Sequence, residues 1–357
     1  MKILLSILAV FVLIMVCLCS TLCILKKKRA KEIKITSANG VDYGEFVAIG
    51  GIQQYLHHRG EDIQNPVLLF LHGGPGSPML PFAQEFQVPW ENKVTVVHWE
   101  QRNCGKTYYK NNPKQVNPTT TMDQVIQDTY EIVEYLKAKY NKEKIIIMGH
   151  SWGSVMGSLF TLKYPHLVLR YIGVGQVVNM FRNENVSYER ALEYIKGSGN
   201  QRDYQALTAL SPYPGTIYND EMKKKMAKFR KLQVKYKLAA GPTAELVWNV
   251  FCSPFYTLRD TRYLLSSGVV ETGQSAILNY LIQTFDLAAI STKYETPVFY
   301  IHGEDDWQTP YRLAQDYFST VEAPIKQFYS IPNAGHITML DQKERFNEAL
   351  FEIIDVM

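Results

Sequence analysis

Short apolar runs, each closed by glycine or a polar cluster, alternate along this chain with longer stretches whose apolar residues recur every three or four positions. Runs at residues 67–71 (V-L-L-F-L), 94–99 (V-T-V-V-H-W), 145–148, 171–174, 297–303 and 326–331 are too short for helices, and they predict strands. Residues 123–140 put Val125, Ile126, Tyr130, Val133 and Leu136 on one helical face. Further helices are expected after Ser151, from about Tyr311 and over 344–354. The alternation predicts an α/β architecture, with a mostly parallel central sheet and helices on both faces. Ahead of it, residues 33–59 form alternating runs broken by Asn39-Gly40 and Gly50-Gly51, which predict a β-meander.

Over residues 178–292 the strand pattern stops. Charged amphipathic stretches and breaks at Pro212, Pro214, Pro242 and Pro254 take its place. Such an insertion predicts a helical cap over the C-terminal edge of the sheet, where open α/β sheets bind ligands. The organisation expected is therefore an anchor over 1–31, a first core segment over 32–177, the cap over 178–292 and a second core segment over 293–357. Within the cap, Met222, Met226, Phe229, Leu232 and Tyr236 form one apolar stripe amid basic residues, suited either to packing downward or to a membrane surface.

Residues 3–25 hold 23 positions without a charge, long enough for a helix to cross a lipid bilayer. The run exceeds the apolar core of a secretory signal and is followed by K-K-K-R, so it reads as an uncleaved single-pass anchor. Five basic residues lie between Lys26 and Lys31, which favours the body lying on the cytoplasmic side. The anchor also explains the formal charge of +4: residues 1–31 carry six Lys or Arg and no acid, leaving 32 basic against 34 acidic residues beyond them. Nothing in that balance points to a nucleic acid. Cys104 and Cys252 alone belong to the body, giving neither a disulfide framework nor a metal spacing.

Candidate chemistry centres on residues 145–154, I-I-I-M-G-H-S-W-G-S. A serine between two glycines, where a buried strand turns into a helix, is the G-x-S-x-G elbow that lifts a hydroxyl out of the sheet. The elbow fold then requires an acid and a histidine, in that order. His336, in A-G-H after the last predicted strand, is the candidate base. Asp305 and Asp306 both follow the strand ending at Gly303; the glycine three positions earlier favours Asp306. His72-Gly73-Gly74-Pro75-Gly76 follows a buried strand and suits an oxyanion hole made by the N–H of Gly74, or of Gly73, together with that of Trp152. Serine, imidazole and carboxylate suffice for acyl transfer, so no metal and no cofactor is expected.

Five segments carry a resemblance. H-G-G-P-G at residues 72–76, W-E-Q-R-N-C-G-K-T at 99–107, G-H-S-W-G-S at 149–154, H-G-E-D-D-W-Q-T-P at 302–310 and A-G-H ending at His336 resemble the proline iminopeptidase branch of the α/β-hydrolase fold, over roughly residues 41–357. The resemblance implies that fold, with Ser151 as nucleophile, Asp306 as acid, His336 as base, and Gly74 and Trp152 as oxyanion donors. It also implies an aminopeptidase acting on short peptides, with esterases and amidases as related activities on small or lipid-like substrates. A tethered, catalytically silent binding module is the alternative of another class. Three departures stand out. Glu100-Gln101-Arg102-Asn103 replaces the family's D-Q-R-G, Ile337-Thr338 replaces a proline-containing segment, and no cap motif selects which of Glu184, Glu189, Glu193 or Glu245 would grip a substrate ammonium.

Overall fold

A computed structural model describes residues 2–215, 217–241, 243–266 and 273–356; Pro242 lies outside the described residues. Eight strands form one sheet in the order β1-β2-β4-β3-β5-β6-β7-β8. They are β1 (Val41–Ile49), β2 (Ile52–Gly60), β3 (Val67–Leu71), β4 (Thr95–Glu100), β5 (Ile145–His150), β6 (Val168–Val174), β7 (Val298–Gly303) and β8 (Lys326–Ile331). From β4 to β8 all neighbours are parallel. The predicted meander is instead a β1–β2 hairpin, and β2 continues the sheet by pairing antiparallel with the later strand β4. Long-range pairing wins there because β4 offers β2 a buried face, whereas residues 33–40 have none to join.

The parallel strands β3, β5 and β7 are buried at every position, which is why their sequences are apolar up to the glycine and histidine at the C-terminal ends of β5 and β7. One face is covered by α2 (Met122–Tyr140) and α3 (Trp152–Lys163), whose Val125, Ile132, Val155 and Phe160 join Leu69 and Ile147 in one core cluster. The other face carries Phe70, Met148 and Phe299 against Trp90 and Phe346. Between β6 and β7 lie helices that include α4 (Met180–Gly197), α5 (Asp220–Lys235), α6 (Ala244–Cys252), α7 (Leu258–Leu264) and α8 (Ser275–Gln283). The apolar stripe of α5 packs inward, with Met222 and Phe229 buried against Tyr188 and Tyr213.

Helix α1 runs unbroken over Lys2–Glu32, through the apolar run and its basic flank. Its Val10–Glu32 part is, among the described residues, the one helix long and apolar enough to cross a membrane, and its side chains from Val10 to Leu18 are exposed. Just past the apolar run the helix meets the body. The Lys26 ammonium donates to the Tyr256 carbonyl, and the Arg29 guanidinium donates to Glu85 at 3.2 Å and to Asn249 on α6 at 3.1 Å.

A buried carboxyl gives this architecture a pH signature. Glu100, at the end of β4, is wholly enclosed, accepting from the Tyr256 hydroxyl at 2.7 Å and from the Lys106 N–H. Burial is the main cause that pushes its pKa up to about 7, against the pull of Lys106. The folded chain then holds this proton to near neutrality, while the unfolded chain releases it near 4.5. Stability present below pH 4.5 is therefore lost as pH rises through 7, by roughly 3 kcal/mol. Glu100→Gln is expected to remove that slope in urea midpoints measured from pH 5 to 8. A wild-type curve already flat over this window would contradict the assignment.

Candidate active site

The elbow is built by close approach. Ser151 sits at φ 55°, ψ −121°, between β5 and α3, and its N–H donates to the Val174 carbonyl at 2.9 Å. A Cβ on Gly149 would run into the Gly153 carbonyl, and one on Gly153 into the Leu71 carbonyl, so neither position tolerates a side chain. The strained turn leaves the Ser151 hydroxyl at the head of α3, where the Trp152 N–H has no helical carbonyl to reach.

Three side chains from distant segments converge there. The Ser151 hydroxyl lies 2.9 Å from His336 Nε2, and His336 Nδ1 lies 2.8 Å from Asp306 Oδ2. A carboxylate only accepts, so Nδ1 carries the proton and Nε2 is free to accept from the serine. Asp306 is buried and is further held by the N–H groups of Gln308 and Thr309, each 2.9 Å from Oδ1, and by the Thr309 hydroxyl at 2.6 Å from Oδ2. Burial alone would raise its pKa. The His336 imidazole and these hydrogen bonds override it and hold the carboxyl well below its usual range. Asp305 is exposed and uses its N–H on the Ala334 carbonyl, so Asp306 is the aspartate brought to His336.

Gly73 and Gly74 stand opposite. A Cβ on Gly73 would lie 3.1 Å from the Ser151 Cβ, and Gly74, at φ 114°, has no room for one because the Gly76 nitrogen would be 2.6 Å away. The backbone N–H groups of this turn and of Trp152 therefore border the same space as the hydroxyl. Gln101 ties the two sides together, accepting from Trp152 Nε1 at 3.0 Å and donating to the His72 carbonyl at 3.2 Å. Arg102 is buried in a bidentate pair with Asp128, at 2.9 and 2.8 Å. Asn103 adopts φ 58°, the left-handed turn for which asparagine is the best substitute for glycine, and its amide donates to Thr120 at 2.7 Å and to the Gly273 carbonyl at 3.1 Å. Replacing the family's glycine here thus keeps the turn.

A cavity of about 200 Å3 opens over Ser151, Gly74, Trp152 and His336. Its walls are Val177, Met180, Met226, Leu278, Leu281 and Ile282, with Arg230 as the one cation and no carboxylate among the described lining residues. Glu184 lies behind that wall, buried, taking hydrogen bonds from Arg230 at 2.8 Å and from the Tyr213 hydroxyl. Glu189, Glu193 and Glu245 are exposed on the outer faces of α4 and α6 and do not line the cavity.

Sequence reasoning passed over His150, the variable residue of the elbow motif. Its Nε2–H donates to the His336 carbonyl at 2.8 Å, with the two rings 5.0 Å apart. Burial, then the neighbouring His336, depress its pKa to about 3, so it is neutral at physiological pH. Thr309 was likewise missed; a threonine three residues after an aspartate gives no sign that its hydroxyl will turn back onto the carboxylate.

A sequence model of the α/β-hydrolase fold family matches residues 66–343. The probable aminopeptidase YbaC of Bacillus subtilis is 25% identical over 307 residues, which cover 85% of this chain and 93% of that protein. Among solved structures, the proline iminopeptidase-related protein TTHA1809 of Thermus thermophilus superposes with a TM-score of 0.62 at 21% identity, covering 87% of this chain and 96% of that one. A membrane phospholipase A described as a bacterial virulence factor superposes with a TM-score of 0.63 at 15% identity, covering 99% of each chain.

Proposed function

The chain belongs to the α/β-hydrolase fold family and is similar to its proline iminopeptidase-like members, and from that premise we propose that it is a membrane-anchored serine hydrolase working through an acyl-enzyme on Ser151. The observation that carries this reading is the unbroken relay from Asp306 through His336 to the Ser151 hydroxyl at the floor of a cavity. The hydroxyl oxygen attacks a carbonyl carbon while His336 Nε2 takes its proton, and the buried Asp306 carboxylate stabilises the imidazolium. The N–H groups of Trp152 and Gly74 receive the oxyanion. Collapse expels the leaving group with the proton from His336. Water, deprotonated by the same nitrogen, then releases the acyl group and restores the serine.

The names of the relatives support an aminopeptidase cleaving short peptides, with an apolar N-terminal residue filling the cavity. One feature of this chain favours a second reading, an esterase or amidase for apolar acyl groups. The carboxylate behind the wall, Glu184, is already paired with Arg230, so a substrate ammonium would have to displace a guanidinium. Aminoacyl-arylamides and short acyl esters, offered to the full chain, separate the two. A kcat/KM preference for a free N-terminal amine of about a hundredfold over the acetylated analogue fits the aminopeptidase, because a buried charged contact is worth about 3 kcal/mol. Indifference to that amine with good ester turnover would remove the aminopeptidase reading and leave the esterase.

A further inference from the structure

A second cavity, of about 290 Å3, lies between α6, α7 and the 3-10 turn Leu80–Glu85. Phe82, Leu246, Val250, Phe251, Leu264 and Ile337 form most of its wall, and Thr261 is the one polar side chain among its described lining residues. A peptide laid in it would leave backbone N–H and C=O groups without partners, whereas a hydrocarbon needs none. The groove does not stop at the surface. Leu246 and Ile337 also line the next cleft, of about 450 Å3, whose walls carry Lys237, Asp305, Asn333 and Asp341 and which borders His336, so a polar ester linkage rather than more hydrocarbon suits it.

The helix that walls the groove also holds the anchor. Helix α6, which supplies Leu246, Val250 and Phe251, holds Arg29 through Asn249. At 1.5 Å of rise per residue, Arg29 is about 6 Å beyond Leu25, the last residue of the uncharged run in α1. The groove's mouth therefore lies at headgroup depth when α1 spans a bilayer. Trp248, Leu258 and Leu265 are exposed there, at 44%, 56% and 64%, and exposed Arg259 and Arg262 on α7 and Lys27 and Lys31 on α1 suit anionic headgroups. Aromatic and aliphatic side chains among basic ones form the boundary chemistry expected of a surface resting on lipid.

We propose that this groove takes the hydrocarbon chain of a membrane amphiphile and guides it from the bilayer toward His336, so that the acyl group cleaved at Ser151 is a long one. The proposal rests on the anchor and serine hydrolase readings above, and it explains the family departure at Ile337, whose apolar side chain links groove and cleft.

The test uses the full chain in phosphatidylcholine vesicles and p-nitrophenyl esters from butanoate to decanoate, comparing wild type with Leu246→Gln and the exposed-site variant Leu265→Gln. Wild-type kcat/KM is expected to rise about fourfold per methylene until the groove is filled. In the variants the decanoate-to-butanoate ratio should fall at least about tenfold, and the comparison on one substrate series cancels partitioning into the vesicle. Equal ratios in all three proteins would overturn the groove. A dansylated undecanoic acid titrated into the Ser151→Ala chain reads binding without turnover: saturable binding weakened by Leu246→Gln supports the proposal, and binding that is absent or unchanged sinks it. Failure of a fluorophosphonate to label Ser151, with fatty-acid binding intact, would count against the hydrolase and not against the groove.

Discussion

Alanine at position 151 is expected to lower kcat about a millionfold, because nucleophile, base and acid act as one unit and loss of the first leaves only binding and oxyanion stabilisation. The hydroxyl's hydrogen bond within the protein is to His336 Nε2. Alanine accepts the same φ of 55° as readily as serine, so stability should stay within about 1 kcal/mol. Turnover on the preferred ester or arylamide, alongside thermal melting, checks both statements. Substantial turnover by the pure variant would mean that another group attacks the substrate. Mass spectrometry of wild type quenched during turnover should find the acyl adduct on Ser151.

Asp306→Asn should cost about 10⁴-fold in kcat, for a reason of tautomers rather than shape. Asparagine fills the same volume, but its amide nitrogen is a donor. Turned toward His336 Nδ1, it would place the imidazole proton on Nε2, which could then only donate to the serine hydroxyl and not take its proton. Turned the other way, it points that donor at the N–H groups of Gln308 and Thr309, which now donate to Oδ1. Either choice leaves one buried group unpaired, so a stability loss of about 1–3 kcal/mol accompanies the loss of rate. A loss of rate below about tenfold would show that the carboxylate does not set the tautomer. The fluorophosphonate labelling rate should fall in step with kcat, since both depend on the same deprotonation of Ser151.

Asp306 and Glu100 share one structural feature. Buried polar groups at the strand ends are each satisfied by a particular neighbour: Glu100 by Tyr256, Arg102 by Asp128, Gln101 by Trp152 and His72. The segment 100–103, which departs from the family's pattern, is thereby as firmly held as the elbow beside it.

How much of this was legible beforehand differs from residue to residue. The elbow at Ser151 was readable because steric demand leaves a local mark: two glycines must flank the serine whatever the rest of the chain does. The buried strands were readable for a similar reason, since a strand covered on both faces has to be apolar throughout. Asp306 against Asp305 was a narrower matter, because adjacent positions share every local signal and differ only in which way the turn aims them. The first hairpin was misjudged as a meander because strand pairing is non-local: β2 pairs directly with β4, although β3 lies between them in the sequence. His150 carried no signal because its partner lies 186 residues away, and Thr309 carried none because its partner, only three residues away, is met by the aim of a turn that no residue type marks.

By itself, then, the sequence determined the α/β alternation, the elbow and the order of serine, acid and base, all written in local spacing and hydrophobic period. Only tertiary structure decided that Asp306 rather than Asp305 meets His336, that Glu184 is spent on Arg230, and that α6, which walls an apolar groove, also holds Arg29 of α1. Those facts depend on which surfaces come together when the sheet and the helices over it close. Such contacts between distant segments leave no periodic trace along the chain.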